Sequence, residues 1–396
     1  MSRKVVVTGI GIISAIGNNA DETLASIYSL KSGIGRLSLF ESIHNNISVA
    51  EVKVSNDQLL NLAGITTEKE FYTRTALLGI IAARQAASNT EHSKLIDART
   101  GLISATTVGG MDLNEQYYKS LLENDTYKEY LGVFDSADSA EKIARYFGIK
   151  HHITTISTAC SSSANSVMLG ARLIRNNQLD MVLVGGTDSL TKFTLNGFFA
   201  LEILSPTGCR PFDQNRNGLT IGEGAAFLLL EGEDVADQDK IICELSGYAN
   251  TNEAFHQTAS SSDGYGAVMA MKKALKVSGL QPSDINYVNA HGTGTVVNDL
   301  SEGRAIETIF APAIPKFSST KSFTGHTLGA AGAIEAVLSV LAIKYQVAFP
   351  NLNFNQPMNE LSLKPQIEVT NANINHVMSN SFGFGGSNTS LIFSKV

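Results

Sequence analysis

The chain has 396 residues, 43% of them hydrophobic and 17% charged, with a formal net charge of −7. That length accommodates one large domain or two fused ones of ordinary size, and so low a charged fraction implies an extensive interior or surface hidden in an oligomer. The negative balance argues against a general nucleic-acid binder. Cys160, Cys209 and Cys243 are spaced for neither a zinc site nor a disulfide framework, which suits a reducing compartment.

In chain order, Arg3 and Lys4 precede an apolar run from Val5 to Ile16 that superficially resembles a leader segment. Its β-branched residues, punctuated by Gly9 and Gly11, predict instead a buried strand leading into a turn. Further strands are predicted over 101–106, 181–185, 225–231, 241–247, 285–290 and 390–393. Helices are predicted over 22–29, 73–88, 139–147, 162–176, 266–279, 300–310 and 328–345. No stretch approaches the roughly 18 uninterrupted apolar residues of a membrane span, so a soluble, cytoplasmic protein is expected. Continuous apolar strands alternating with helices predict an α/β fold with a sheet covered on both faces.

A faint repeat divides the chain. Lys4-Val-Val-Val-Thr-Gly opens the first part and Lys240-Ile-Ile-Cys-Glu-Leu-Ser-Gly the second. Ala105-Thr-Thr-Val-Gly-Gly is echoed by Ala290-His-Gly-Thr-Gly-Thr. Two similar halves, 1–238 and 239–396, are expected, with the charged stretch 231–240 as the crossover.

Four segments can carry chemistry. In Ser157-Thr-Ala-Cys-Ser-Ser-Ser-Ala-Asn, a strand ends near Ile156 and a helix begins near Cys160, so unpaired N–H groups and the helix dipole favour a thiolate there; a lone cysteine of this kind can equally be a small buried hydrophobe. Asn289-Ala-His-Gly-Thr-Gly-Thr delivers His291 into a loop whose Thr293 and Thr295 offer hydroxyls to a polar ligand, without the lysine or the following helix start expected of a nucleotide loop. Lys321-Ser-Phe-Thr-Gly-His-Thr-Leu-Gly-Ala-Ala-Gly sets Lys321 and His326 at the mouth of an apolar helix, where burial demands a partner; Glu335, nine residues beyond His326, is the candidate. Ser381-Phe-Gly-Phe-Gly-Gly-Ser-Asn makes a sharply bending loop able to present backbone N–H groups. Each segment alone also fits a structural turn, core histidine or ion pair. Together they gather one thiol, two imidazoles and one lysine at strand and loop ends, a set able to take an acyl group and donate hydrogen bonds to a thioester oxygen as charge develops on it.

These motifs resemble, in order and essentially end to end, the elongating β-ketoacyl-acyl-carrier-protein synthases of the thiolase-like superfamily. The resemblance runs from Val5-Val-Val-Thr-Gly-Ile-Gly through Thr158-Ala-Cys-Ser-Ser, Arg210-Pro-Phe-Asp, Gly222-Glu-Gly-Ala, His291-Gly-Thr-Gly-Thr and Lys321-Ser-Phe-Thr-Gly-His to Phe382-Gly-Phe-Gly-Gly-Ser-Asn. It implies a five-layered αβαβα fold of two pseudo-repeated halves. It implies that Cys160 holds the acyl chain, His291 and His326 bind the malonyl thioester carbonyl, and Lys321, supported by Glu335, organises the field. It also implies an oxyanion hole from the N–H groups of Cys160 and Phe384, with Phe384 as gate. Thr293 and Thr295 would bind a phosphopantetheine arm, and Val108 would floor the acyl pocket. No metal or diffusible cofactor is implied. The implied partners are an acyl carrier protein and a second subunit, identical or a chain-length-factor-like paralogue; nucleic acid and membrane are not among them.

A thiolase would need a second catalytic cysteine, which neither Cys209 nor Cys243 supplies in a matching loop. A partner subunit that is non-catalytic, or active only in a heterodimeric ketosynthase, is the alternative. Two departures touch the implied carrier-docking surface: a short Leu204-Ser-Pro-Thr-Gly-Cys-Arg-Pro stretch, and Thr66-Thr-Glu-Lys-Glu-Phe-Tyr in place of a basic cluster. They suggest a dedicated carrier in a specialised polyene or polyketide pathway.

Overall fold

The structure is a computed structural model, and it describes residues 3–44, 46–66, 71–123 and 125–396. Ten strands form its main sheet: β1 (Val5–Ser14), β2 (Thr100–Ala105), β3 (His152–Ile156), β4 (Met181–Asp188), β5 (Gly224–Gly232), β6 (Cys243–Asn252), β7 (Tyr287–Asn289), β8 (Lys316–Ser318), β9 (His376–Gly383) and β10 (Ser387–Ser394). Their spatial order is β8-β7-β9-β10-β6-β1-β5-β4-β2-β3. Each strand of one half thus matches the strand five numbers on in the other. The directions match too: β1–β5–β4 are antiparallel and β4–β2–β3 parallel, as β6–β10–β9 are antiparallel and β9–β7–β8 parallel. The halves meet along a short antiparallel seam, Val6 opposite Glu244 and Val7 opposite Cys243.

The main helices are α1 (Ala20–Tyr28), α2 (Arg74–Ala86), α3 (Met111–Glu123), α4 (Asp138–Phe147), α5 (Ser162–Arg175), α6 (Lys192–Ala200), α7 (Tyr265–Ser278), α8 (Val296–Phe310) and α9 (Ala331–Tyr345). α2 and α4 cover the outer face of the first half-sheet, and α7 and α8 that of the second. α5 and α9 lie between and touch strands of both halves. The result is the expected five-layered αβαβα arrangement, with one apolar core between the half-sheets and one beneath each outer helix layer. Double coverage explains why β4 and β5 are buried at every residue and read as unbroken apolar runs. It also explains α9: its neighbours are apolar all round, so its sequence is too. Leu328–Tyr345 is long and apolar enough to cross a membrane, yet 89% of that window is buried inside the protein.

Most predicted elements recur with shifted ends; α8 begins at Val296, capped by Thr295 directly after the His291 loop, where no helix start was expected. The helix predicted from 328 opens with a 3-10 turn, Leu328–Ala330, before α9 begins. The first strand runs to Ser14 rather than turning at its glycines. A Cβ at Gly9 would stand 1.9 Å from the Ala86 oxygen, and one at Gly11 2.0 Å from that of Ala82. These glycines let α2 lie directly on the strand, which is a packing role rather than a turn. Helices α3 and α6 were not among the predicted elements; α3 has one buried residue, Asn114, so its apolar periodicity is weak.

A buried ion pair fixes how α2 enters the fold. Arg74 donates through Nε and Nη2 to Glu223 at 2.9 and 2.7 Å, and through Nη1 and Nη2 to the carbonyls of Val54 and Val52. Glu223 also accepts the N–H groups of Val52 and Leu190. Every atom of the pair is engaged, so removing one partner strands a buried charge. Arg74→Met is therefore expected to lower unfolding free energy by about 3–5 kcal/mol in urea titrations. Arg74→Met combined with Glu223→Leu should recover part of that loss, because the second change removes the stranded carboxylate.

Candidate active site

Cys160 sits between the end of β3 and the start of α5, one residue before the helix N-cap Ser161. The preceding Ala159 is held at φ 52°, a left-handed conformation that a non-glycine residue keeps only when its surroundings enforce it. Ser162 enforces it here: its hydroxyl donates to the Ala159 carbonyl and accepts the Thr158 N–H. Gly383, at the end of β9, passes so close that a Cβ there would lie 3.1 Å from the Cys160 nitrogen. That approach brings the next residue, Phe384, to the thiol, which its backbone N–H draws toward a lower pKa.

The second half supplies the two imidazoles and the lysine. His291 leaves β7 into its loop, where Glu302 of α8 accepts its N–H at 2.9 Å and that of Gly292 at 2.7 Å. His326 is held by a bridge to the segment before Gly222-Glu-Gly-Ala, with its N–H 2.7 Å from the Thr220 carbonyl. The two imidazoles meet edge to face, 5.4 Å between centroids. The Cys160 sulfur and one ring nitrogen from each histidine all lie within 4.8 Å of one another. Such a trio could also share a soft ion such as Zn2+.

Lys321 lies beneath them, 1% exposed. Its Nζ donates to Glu335, to the His291 carbonyl at 2.6 Å and to His291 Nδ1 at 3.2 Å. An ammonium can only donate, so His291 Nδ1 accepts and its proton resides on Nε2. His326 reaches the same tautomer by another route: the Leu328 N–H donates to its Nδ1 at 3.2 Å. Both rings thus keep Nε2–H as a donor. Glu335 also accepts the hydroxyl of Ser381, on β9 three residues before Phe384.

Burial governs the protonation states. It drives both histidines well below the ordinary imidazole range, with the Lys321 charge adding to the effect. It raises Glu335 to about 7 against the pull of Lys321, and Glu302 to about 7 against the amides of Gly292 and His291. It pushes the Cys160 thiol up to about 11, although the Phe384 N–H and Lys321 draw it down. The thiolate expected from a helix start is therefore not the resting form; desolvation outweighs the N–H groups.

A cavity of about 360 Å3 opens onto this constellation. Cys160, His291, His326, Thr293, Thr295 and Phe384 all line it, as does Phe198 of α6, whose ring stacks 6.3 Å from that of Phe384. The Thr293 and Thr295 hydroxyls lie 2.9 Å apart. Val108 is not among the lining residues; it is half-buried on the loop after β2. Cys209 and Cys243 are buried, free and outside the lining. Of the two altered segments, 204–211 adjoins the mouth at Ile203, while Thr67, Glu68, Lys69 and Glu70 lie outside the described residues.

Residues 2–236 match the family model described as "Beta-ketoacyl synthase, N-terminal domain", and residues 242–355 that described as "Beta-ketoacyl synthase, C-terminal domain". The chain belongs to the β-ketoacyl synthase family. This synthase is 32% identical to the 3-oxoacyl-[acyl-carrier-protein] synthase 2 of Staphylococcus aureus (strain COL), over 100% of this chain and 99% of the relative. It is 33% identical to the enzyme of the same name from Coxiella burnetii, with the same coverage. Among solved structures, the ishigamide ketosynthase/chain length factor superposes with a TM-score of 0.91 at 28% identity, covering both chains fully. The ketosynthase ApeO in complex with its chain length factor ApeC, from Xenorhabdus doucetiae, gives 0.84 at 31%, covering 100% of this chain and 98% of the other.

Three buried carboxylates went unread in the sequence. Glu302 and Asp299, three residues apart on α8, accept amides of the His291 and Gly294 loops, and Asp188 at the end of β4 gathers the loop after β2. Asp299 and Glu302 follow the His291 loop within one helix, and that proximity was the available signal.

The neutral histidines make a prediction whose sign follows from their depressed values. Below about pH 6.5 the unfolded chain binds protons that the folded site refuses, so each imidazole's contribution is flat above that pH and falls beneath it. The stability difference between the native chain and His326→Gln should shift against the native chain by about 1.4 kcal/mol per pH unit below 6.5, read from urea unfolding between neutral and mildly acidic pH.

Proposed function

We propose that this synthase catalyses decarboxylative condensation of a Cys160-bound acyl chain with a malonyl group on an acyl carrier protein, giving the β-ketoacyl carrier. The observation that carries this is the joint burial of a thiol and two neutral, Nε2-protonated imidazoles at one cavity end.

In the first step the Cys160 sulfur attacks the acyl thioester carbonyl. The carbon–sulfur bond to the carrier breaks, and the thiol proton leaves with the carrier thiol. The backbone N–H groups of Cys160 and Phe384 stabilise the tetrahedral oxyanion. In the second step the malonyl thioester oxygen accepts hydrogen bonds from His291 and His326. The bond to the carboxylate breaks, carbon dioxide departs, and the electron pair is held as an enolate against those donors. Lys321, fixed by Glu335, keeps the imidazoles neutral and aimed. In the third step the enolate carbon attacks the acyl carbonyl, a carbon–carbon bond forms, the carbon–sulfur bond to Cys160 breaks, and the released thiolate takes up one proton from solvent to restore the thiol. The balance requires no metal or diffusible cofactor: the sulfur, the donors and the escaping carbon dioxide account for every electron pair.

In this reading Thr293 and Thr295, at the cavity wall, bind the phosphopantetheine arm, and Phe384 against Phe198 is the gate to the acyl pocket. Val108, which does not line the cavity described, is assigned as the floor of the acyl pocket. Related assemblies support the partners: one solved neighbour is a type II polyketide ketosynthase in complex with its acyl-carrier protein, and others pair a ketosynthase with a chain length factor. β3 ends the main sheet and offers an open edge for a second subunit, identical or paralogous. The boundary between halves is assigned at 238/239, between the end of β5 and the start of β6. Three free cysteines suit a cytoplasmic location. The pathway assigned is fatty-acid or polyene/polyketide synthesis through a dedicated carrier.

Intact-mass analysis after incubation with acyl carrier should show one acyl group, absent from Cys160→Ala. That variant should still release carbon dioxide from malonyl carrier, whereas His326→Ala should lose both decarboxylation and condensation by a factor of roughly 10²–10³. An unmodified Cys160 in the presence of a competent donor would refute the assignment.

A further inference from the structure

Asp188 closes β4 with its side chain fully buried and bonded to the turn that follows His326. Its Oδ1 accepts the Thr106 hydroxyl at 2.6 Å and the Thr107 N–H at 3.0 Å. Its Oδ2 accepts the Thr107 hydroxyl and the Gly329 N–H, both at 2.7 Å. The backbone N–H groups can only donate, so both oxygens act as acceptors and the carboxylate joins two loops distant in sequence. One carries Val108. The other is the turn just after His326.

That turn is under constraint. Leu328 stands at φ 54°, which an L side chain adopts only where neighbours hold it. Its N–H is the group that donates to His326 Nδ1. The Gly329 N–H is tied to Asp188, and a Cβ at Gly329 would fall 2.8 Å from Asp188 Oδ2 and 3.0 Å from Thr107 Cγ2. The close approach therefore requires glycine. The chain of contacts runs from Asp188 to Gly329, through the left-handed Leu328, to the ring nitrogen of His326. If the turn relaxes, Nδ1 loses its donor and the imidazole can place its proton there. Nε2 would then face a developing oxyanion with a lone pair instead of an N–H.

We propose that Asp188 is a positioning residue that fixes the Nε2–H tautomer of His326 and ties it to the acyl-pocket loop at Thr107–Val108. This rests on the condensation reading above for its kinetic consequence, but not for its structural one. Asp188→Asn keeps the size and sets an amide donor against the amides it must accept. In that variant kcat for malonyl decarboxylation should fall on the order of 10²-fold, with KM for the malonyl carrier changed by no more than about twofold. Its preference among acyl lengths should shift at the same time. Gly329→Ala, which pushes on the same contact from the other side, should reproduce the decarboxylation loss. Nitrogen-15 spectra of imidazole-labelled protein read the tautomer directly: Nε2–H for His326 in the native chain, and a mixed or reversed signal in either variant. If Asp188→Asn fails to fold, Gly329→Ala decides by the same two measurements. A native-like tautomer together with a native kcat in the variants overturns the proposal. An inactive native chain with the tautomer in place would sink the condensation reading and leave this inference standing.

Discussion

An ammonium group cannot be taken out of water unless something answers its charge and its three protons, and the site is organised around meeting that demand at Lys321. Glu335 answers the charge, while the carbonyl and Nδ1 of His291 take further protons. Since Glu335 lies on the central helix α9 and His291 on the loop after β7, the lysine locks a helix to a sheet edge at the point where chemistry is proposed. The pair is weak as a source of stability, because desolvation offsets most of its attraction. Its value lies in geometry: one cation sets the orientation and tautomer of an imidazole and, by its field, resists protonation of both.

The pseudo-symmetry explains why these groups meet. α5 and α9 are equivalent elements of the two halves, each preceded by a loop from an edge-side parallel strand, β3 or β8. Cys160 precedes the first helix; Lys321 and His326 precede the second. The loops after β2 and β7, carrying Val108 and His291, are likewise counterparts. Two equivalent helix starts thus meet, one preceded by the Cys160 thiol and the other by Lys321 and His326. The acids that tie these loops down, Asp188 and Glu302, hold amides rather than substrate.

Much of this was legible beforehand because burial leaves strong marks. Strands covered on both faces read as apolar runs, and the faint echo between 105–110 and 290–295 corresponds to the paired ends of β2 and β7. The four motif segments converge as anticipated because each sits where a strand or loop ends at the same edge. What escaped notice had weaker local signals. Gly9 and Gly11 looked like a turn, since a sequence does not reveal that a helix will lie on them. The resting state of Cys160 depends on how completely water is excluded, a property of the assembled layers rather than of the helix start. Asp188 carries no local mark, since its partners are more than 80 residues away in either direction.

The seam between the halves joins only two residue pairs, so the half-sheets are held together mainly through α5 and α9. Both helices are shared property: a change on either is felt by two sheets and by the site at their tips. Such elements leave little room for drift. The cavity mouth, where Leu201, Val296 and Val297 are exposed at 49%, 55% and 45%, is anchored to one half at a time and carries no such double obligation. A lineage built on this frame can change the company it keeps at the entrance while the machinery between the helices stays as it was.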